Sequence, residues 1–276
     1  MPEAPMLAAP ELQRHAPRLL RLWEQACEAG PQELEDLLLA FDADGASHAN
    51  ARALPQGLGE RNLRLLALRE RLLGPQLALL ADCPHCASPV EFSLDCRALL
   101  HSLNDAKTPS EASEEQVLEL DGYHLRFRRP VAEDLQACAS ALTQAQPPAL
   151  GPALDGAQFA RLLLQRCILD CEPPNEAARL APLPEPLCQA LAERLEQLDP
   201  AAHIRLQLHC PDCAQDWSAP LAPAPLLWQE LRGQAEQLLS EIGQLARAFG
   251  WSEEQVLSLS PRRRQAYLQL CEEASP

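Results

Sequence analysis

Cys83-Pro84-His85-Cys86 and Cys210-Pro211-Asp212-Cys213 share the form C-P-x-C and constrain the fold of this chain more than any other feature. Residues 87 to 209 separate them. Short apolar stretches that read as strands flank each pair: Leu77 to Ala81 and Val90 to Leu94 around the first, His203 to His209 and Gln215 to Ala219 around the second. A knuckle of this kind turns tightly and aims two sulfurs and several backbone N–H groups inward, where the N–H groups stabilise thiolate charge. Two knuckles supply the four thiolates of a tetrahedral zinc site. Four protein thiolates leave no open coordination position. The expected metal is therefore one structural zinc per chain, held by Cys83, Cys86, Cys210 and Cys213 and joining two distant parts of the sequence.

Other chemistries fit the same residues less well. Cys-Pro-His-Cys resembles the active tetrapeptide of thiol oxidases, but there the second cysteine lies in the first turns of a helix, whose dipole activates the nucleophile. Here Ala87-Ser88-Pro89-Val90-Glu91-Phe92 follows and reads as strand. Two disulfides, or two knuckles without metal, are the plain alternatives. His85 and His209 adjoin complete pairs and are expected outside the ligand set. The remaining cysteines (27, 96, 138, 167, 171, 188 and 271) sit mostly at apolar positions, where packing is the ordinary role.

Charge narrows the partners. The net charge is -16, whereas a non-specific nucleic-acid binder needs a positive surface to displace counterions from phosphates. Nucleic acid is disfavoured, and so is an anionic membrane surface. Met1-Pro2-Glu3-Ala4-Pro5 lacks the basic flank and apolar run of a signal peptide, and no stretch approaches the roughly 20 apolar residues of a membrane span. A cytoplasmic location in a bacterial host cell is expected, where cysteines serve as thiols and ligands.

Aromatic residues are only 4% of the chain, so Leu and Ala must fill the core, and both suit helices. Helices are predicted at Pro17 to Glu28, Glu33 to Ala40, Leu58 to Leu73, Pro130 to about Leu142, Ala157 to Leu169, Leu187 to Leu198 and Pro225 to Phe249. Phe41 to Pro55 reads as a loop with Asp44-Gly45 as its turn, Asn104 to Glu115 as a polar linker, and Pro147 to Gly156 as another. Val117 to Leu120 and Tyr123 to Arg128 flank Asp121-Gly122, a hairpin signal. Ser252 and Gln255 form a capping box, and Ser260-Pro261 opens a last helix through Tyr267, Leu268 and Cys271. The apolar stripe from Trp228 to Phe249 reads as helix packing. Arg262-Arg263-Arg264 opposes the positive end of its helix, so local stability does not explain it; it reads either as a contact patch for an acidic partner or as a solvated helix start.

The expected fold is α+β and mainly helical: a split four-cysteine zinc ribbon (75–96 and 203–222), an N-terminal helical region (1–74), an inserted hairpin-plus-helices segment (97–202) and a C-terminal helical unit (223–276). No phosphate loop, G-x-S-x-G, H-E-x-x-H or distinguishable carboxylate pair occurs, so no catalytic residue is assigned and the chain reads as no enzyme.

Several segments together resemble one family. They are Arg61-Asn62-Leu63-Arg64-Leu65-Leu66-Ala67-Leu68-Arg69-Glu70, Leu206 to Cys213, and Leu245-Ala246-Arg247-Ala248-Phe249-Gly250-Trp251-Ser252-Glu253-Glu254-Gln255-Val256-Leu257-Ser258-Leu259-Ser260 with Arg262 to Leu268. They look like the T-even-type phage baseplate hub assembly chaperones, a family also found in gene clusters of contractile injection systems. The Gly-Trp-Ser-Glu stretch and the Arg-Arg and Tyr-Leu after it are the most specific part. The resemblance implies a non-enzymatic factor assisting the baseplate hub of a contractile tail, with hub or spike-associated proteins as partners. The four cysteines are not universal in that family, so zinc follows from their spacing. Pro225 to Cys271 is the expected partner-binding unit. The second possibility is a zinc-ribbon adaptor in a nucleic-acid or transcription complex.

Overall fold

The computed structural model describes residues 12, 15–43, 57–106, 115–145, 156–172 and 183–273. Asp44-Gly45 and residues 107–114 and 146–155 of the expected loops lie outside them. The chain is mixed helix and strand and mainly helical. No helix among the described residues is long and apolar enough to cross a membrane.

Four elements make the largest core. Helices α1 (Ala16–Ala26), α2 (Pro31–Ala43) and α3 (Leu58–Leu73) pack with the long α8 (Pro223–Phe249). The α8 stripe Leu227, Leu231, Leu238, Ile242 and Leu245 steps by threes and fours, and Ala235 fills its one long gap. All six are buried, against Leu19, Leu20 and Leu22 of α1, Leu38, Leu39 and Phe41 of α2, and Leu65, Leu68 and Leu72 of α3. The N- and C-terminal parts of the sequence thus share one core, which a stripe read in isolation does not reveal. Phe41, expected to open a loop, instead continues α2, where it buries.

Helix α3 is buried on more than one side. Leu66 leaves the helical core for a second cluster with Cys96, Ile204 and Leu221. Two arginines are sequestered with it. Arg61 donates Nε to Glu35 (2.6 Å) and a second N–H to Asp36; Arg69 donates two N–H groups to Glu230 of α8 (3.0 and 2.8 Å) and one to the Gly74 carbonyl (2.7 Å). Buried guanidinium groups need such complete pairing, because an unmatched charge there is strongly destabilising. Gly59 matters by its lack of a side chain: a Cβ would lie 1.8 Å from Asp199, whose carboxylate accepts the Gly59 N–H (3.0 Å). That bond places a negative charge at the positive end of α3.

Two hairpins carry the cysteine pairs. Strands β1 (Gln76–Asp82) and β2 (Pro89–Asp95) form one; β6 (Arg205–His209) and β7 (Asp216–Pro220) form the other, and each is a separate two-stranded antiparallel sheet. Immediately after β2 comes α4 (Cys96–Asp105), where a polar linker was expected from Asn104. Asp95 caps it by accepting the Ala98 N–H (2.9 Å), and Cys96 anchors it under α3.

Between the hairpins lies a third core. Strands β3 (Glu115–Leu120) and β4 (Tyr123–Arg128) pair as the hairpin signal predicts. Helix α6 (Gly156–Cys167) ends before Leu169, and Ile168–Glu172 instead forms β5, which pairs with β4 and makes the sheet three-stranded. Leu125 and Phe127 pack on Leu187 and Leu191 of α7 (Glu185–Leu198). Helix α5 (Ala132–Ala145) is joined to this unit by Asp134, which is 1% exposed and accepts from Arg128 (2.6 and 2.9 Å), the Val131 N–H (3.0 Å) and Arg166 of α6 (3.1 Å). Burial alone would raise the Asp134 pKa. The Arg128 hydrogen bonds lead the contacts that reverse this, leaving it near about 2.

Helices α9 (Glu253–Ser258) and α10 (Pro261–Glu273) fold back on α8. Gly250 closes α8 in the left-handed conformation (φ 68°), which glycine adopts without steric penalty. The Ser252–Gln255 capping box forms with both reciprocal bonds.

Candidate metal centre

The two knuckles are built alike. In the first, the Cys83 N–H donates to the Ser88 carbonyl (2.9 Å) and the Ala87 N–H to the Cys83 carbonyl (2.8 Å); in the second, Cys210 donates to Gln215 (2.9 Å) and Ala214 to Cys210 (3.0 Å). The residue after each second cysteine is in the left-handed region, Ala87 at φ 59° and Ala214 at φ 55°. A non-glycine residue there carries backbone strain of roughly 1 kcal/mol. Reversing the chain this sharply turns both sulfurs of a pair to one side.

The fold brings the pairs together. The Sγ atoms of Cys83, Cys86, Cys210 and Cys213 all lie within 4.8 Å of one another. Cys83 approaches Cys213 (3.7 Å) and Cys86 approaches Cys210 (3.6 Å), so close sulfur contacts cross from one hairpin to the other. These separations are far above the ~2.05 Å of a disulfide. They suit four sulfurs around one ion that each can reach. His85 and His209 are exposed, and His209 pairs with Asp216 (2.7 Å); neither belongs to the cluster. Strand β2, not a helix, follows Cys86.

Cys83 and Cys210 are buried, Cys213 is half-buried and Cys86 is exposed. Around them pack Val90 and Trp217. Ser88 hydrogen-bonds to Cys86 with its hydroxyl and its backbone N–H and holds that thiol down to about 6. Cys213 is pushed up to about 12: the Gln215 N–H favours its thiolate, but desolvation and the protons shared with Cys210, Cys83 and Cys86 prevail. Four sulfurs this close cannot all ionise unaided. A divalent cation removes that obstacle, and its binding then releases protons.

Spacing alone identified the four sulfurs. It did not identify Trp217, Ser88, Ala87 or Ala214. Trp217 stands on the strand leaving the second knuckle, but which face of a strand meets the cluster depends on how the hairpins dock. The other cysteines behave as packing residues where buried: burial raises the thiol pKa of Cys96, Cys138 and Cys188, and takes Cys167 to about 12. No protein family, curated protein or solved structure matches this chain.

Proposed function

We propose that this protein is a non-enzymatic assembly factor for the baseplate hub of a phage-like contractile tail or injection system, acting through protein contacts on a zinc-clamped scaffold. The metal part rests on the sulfur geometry. Zinc–thiolate bonds of ~2.3 Å in a tetrahedron separate sulfurs by about 3.8 Å, and the cross-hairpin distances are 3.6 and 3.7 Å. Cys83, Cys86, Cys210 and Cys213 would hold zinc as a closed structural site, making the two hairpins a split zinc ribbon. Elemental analysis of the purified protein should find one zinc per chain; a fully folded, metal-free protein would refute the ribbon.

The functional part is carried by one observation. The segment with the most specific family resemblance, Gly250 to Leu268, folds as the capped helix α9 and the first turns of α10, which pack on the helical core through Val256 and Leu268 and follow the second knuckle by some 37 residues. Zinc holds the scaffold, and helices elsewhere meet the client. The deciding experiment is affinity purification of the full chain from cells that produce it. Tail sheath, tube and spike or hub subunits should co-purify, and genes for them should neighbour this one. Salt-sensitive recovery of DNA or RNA without baseplate subunits would reject the assembly role in favour of a nucleic-acid adaptor.

A further inference from the structure

We infer that the outer face of α10, with the aromatic turn beside it, docks an amphipathic helix of a partner protein whose apolar stripe continues into carboxylates. The inference rests on the protein-contact reading above and names the surface and the chemistry it takes.

Helix α10 has two faces. Arg264 and Leu268 are buried and Cys271 is half-buried; Leu268 and Cys271 pack with the helical core, and Arg264 meets Glu241 of α8 at 3.4 Å. The other face carries Arg263, Ala266 and Leu270 toward solvent, and Tyr267 lies at its border, partly packed against the helical core. Arg263 and Ala266 are exposed, Tyr267 is half-buried and Leu270 is 54% exposed. With its inner face already buried, the helix leaves a short apolar strip of Ala266 and Leu270, bordered by Tyr267, facing outward.

The aromatic residues gather at the same place. The chain has only 4 Trp, 2 Tyr and 5 Phe, yet Phe249, Trp251 and Tyr267 form one mutual cluster. Phe249 stacks on Trp251 (4.7 Å between centroids), and Tyr267 meets both edge-on (5.5 and 4.8 Å). Phe249 remains 41% exposed. Among the described residues the other exposed large apolar side chains, Leu80, Val117 and Leu169, stand on three different strands.

Charge selects the occupant. Arg262 and Arg263 are exposed and have no carboxylate within 4 Å among the described residues; Arg21, Arg129, Arg205 and Arg247 are also exposed without an ion pair, but they stand singly, whereas Arg262 and Arg263 are adjacent and border the apolar strip. Their position at the start of α10 opposes its dipole. In a chain of net charge -16, two unmatched cations at the head of an apolar stripe are complementary to an acidic partner. From Arg262 to Leu270 the helix rises ~12 Å, so the partner's carboxylates lie about two turns from its apolar contacts. A second copy is a poorer match: the turn beside its α10 does offer the exposed Glu253 and Glu254, but each copy brings the same large negative charge.

The test uses the full chain in cells that produce it, with the photo-crosslinking residue p-benzoylphenylalanine at Ala266, and at Leu80 as the control position. Ala266 should capture one protein segment with the stated apolar-then-acidic pattern, and Leu80 should not. Capture should fall about tenfold in R262E/R263E and in L270D, with thermal stability and metal content unchanged. Changing the captured segment's carboxylates to lysine should restore capture by R262E/R263E. Failure to capture, capture of a second copy, of nucleic acid or of lipid, or capture indifferent to charge reversal would each overturn the inference. A captured acidic segment from a protein unrelated to tails leaves the surface standing and removes the assembly role. Baseplate subunits that co-purify equally with R262E/R263E do the reverse.

Discussion

The helical core and the cysteine joint are held by different physics. The helical core brings 21 buried side chains from both ends of the sequence into one cluster, while the joint has Cys83, Val90 and Cys210. Each hairpin of the joint is two-stranded and shares no ladder with the other, a form that is marginal alone in water. Apolar burial can hold the first region by itself; the hairpins have only the smaller cluster of Leu66, Cys96, Ile204 and Leu221, on which Leu79, Leu94 and Leu206 pack, so a bridge between the sulfurs would add most at their tips. A closed metal site supplies a large local energy with few residues. It suits hairpin tips where few apolar side chains are buried.

The largest effect should follow metal removal. Structural zinc contributes ~10–16 kcal/mol apparent in isolated zinc-finger peptides at pH 7, and an ion held by the four sulfurs would supply much of the order at the hairpin tips. Chelation, or Cys83→Ser, should abolish stoichiometric metal, shift the emission of Trp217, which packs on the cluster, and release the knuckle amides to hydrogen exchange. The far-UV helical signal should largely persist. Its collapse would show that the two regions do not stand apart.

Next comes the converse experiment. Leu231 is fully buried in the helical core, so Leu231→Ala should cost about 2–5 kcal/mol, measured by urea unfolding, with metal content unchanged. Truncation at residue 225 is a poor probe of partner binding for the same reason: it would remove Leu227, Leu231, Leu238, Ile242 and Leu245 from that core.

A third region answers to pH. The folded Asp134 pKa, about 2, lies below the unfolded value of ~3.9. Its contribution is therefore present above about pH 4 and lost as pH falls toward 2, amounting to about 2 kcal/mol. The protection factor of the Leu125 amide, inside the inserted sheet, should fall over that window once the intrinsic pH dependence of exchange is divided out, and Asp134→Asn should flatten the dependence. The smallest effect is at the knuckle itself. Ala87→Gly should relieve left-handed strain and be neutral to about 1 kcal/mol stabilising, while Ala87→Val should weaken zinc retention; competition with a chelator measures both.

Some of this architecture was legible because its signals are local. Helix α3 spans Leu58–Leu73 as periodicity and Gly74 predict, and the Ser252 capping box is present. Strand β5 was not legible: Ile168 and Leu169 extend the apolar rhythm of α6, and only β4, about forty residues earlier in the sequence, makes them strand. Helix α4 was missed because its anchor, Cys96 beneath Leu66, is a tertiary contact. Arg262-Arg263-Arg264 shows the limit most clearly. Three identical neighbours divide into two exposed cations and one buried partner of Glu241, because a helix turns about 100° per residue and only docking decides which side is inward.

Sequence alone determined the four sulfurs, the knuckle turns and the α8 stripe, since each is written in spacings shorter than a few helical turns. Tertiary structure decided that the sulfurs converge, that both ends of the chain share a core, and which arginines and aromatics face solvent. Those outcomes depend on closing long loops, where the entropy of closure must be offset by packing that no local spacing encodes.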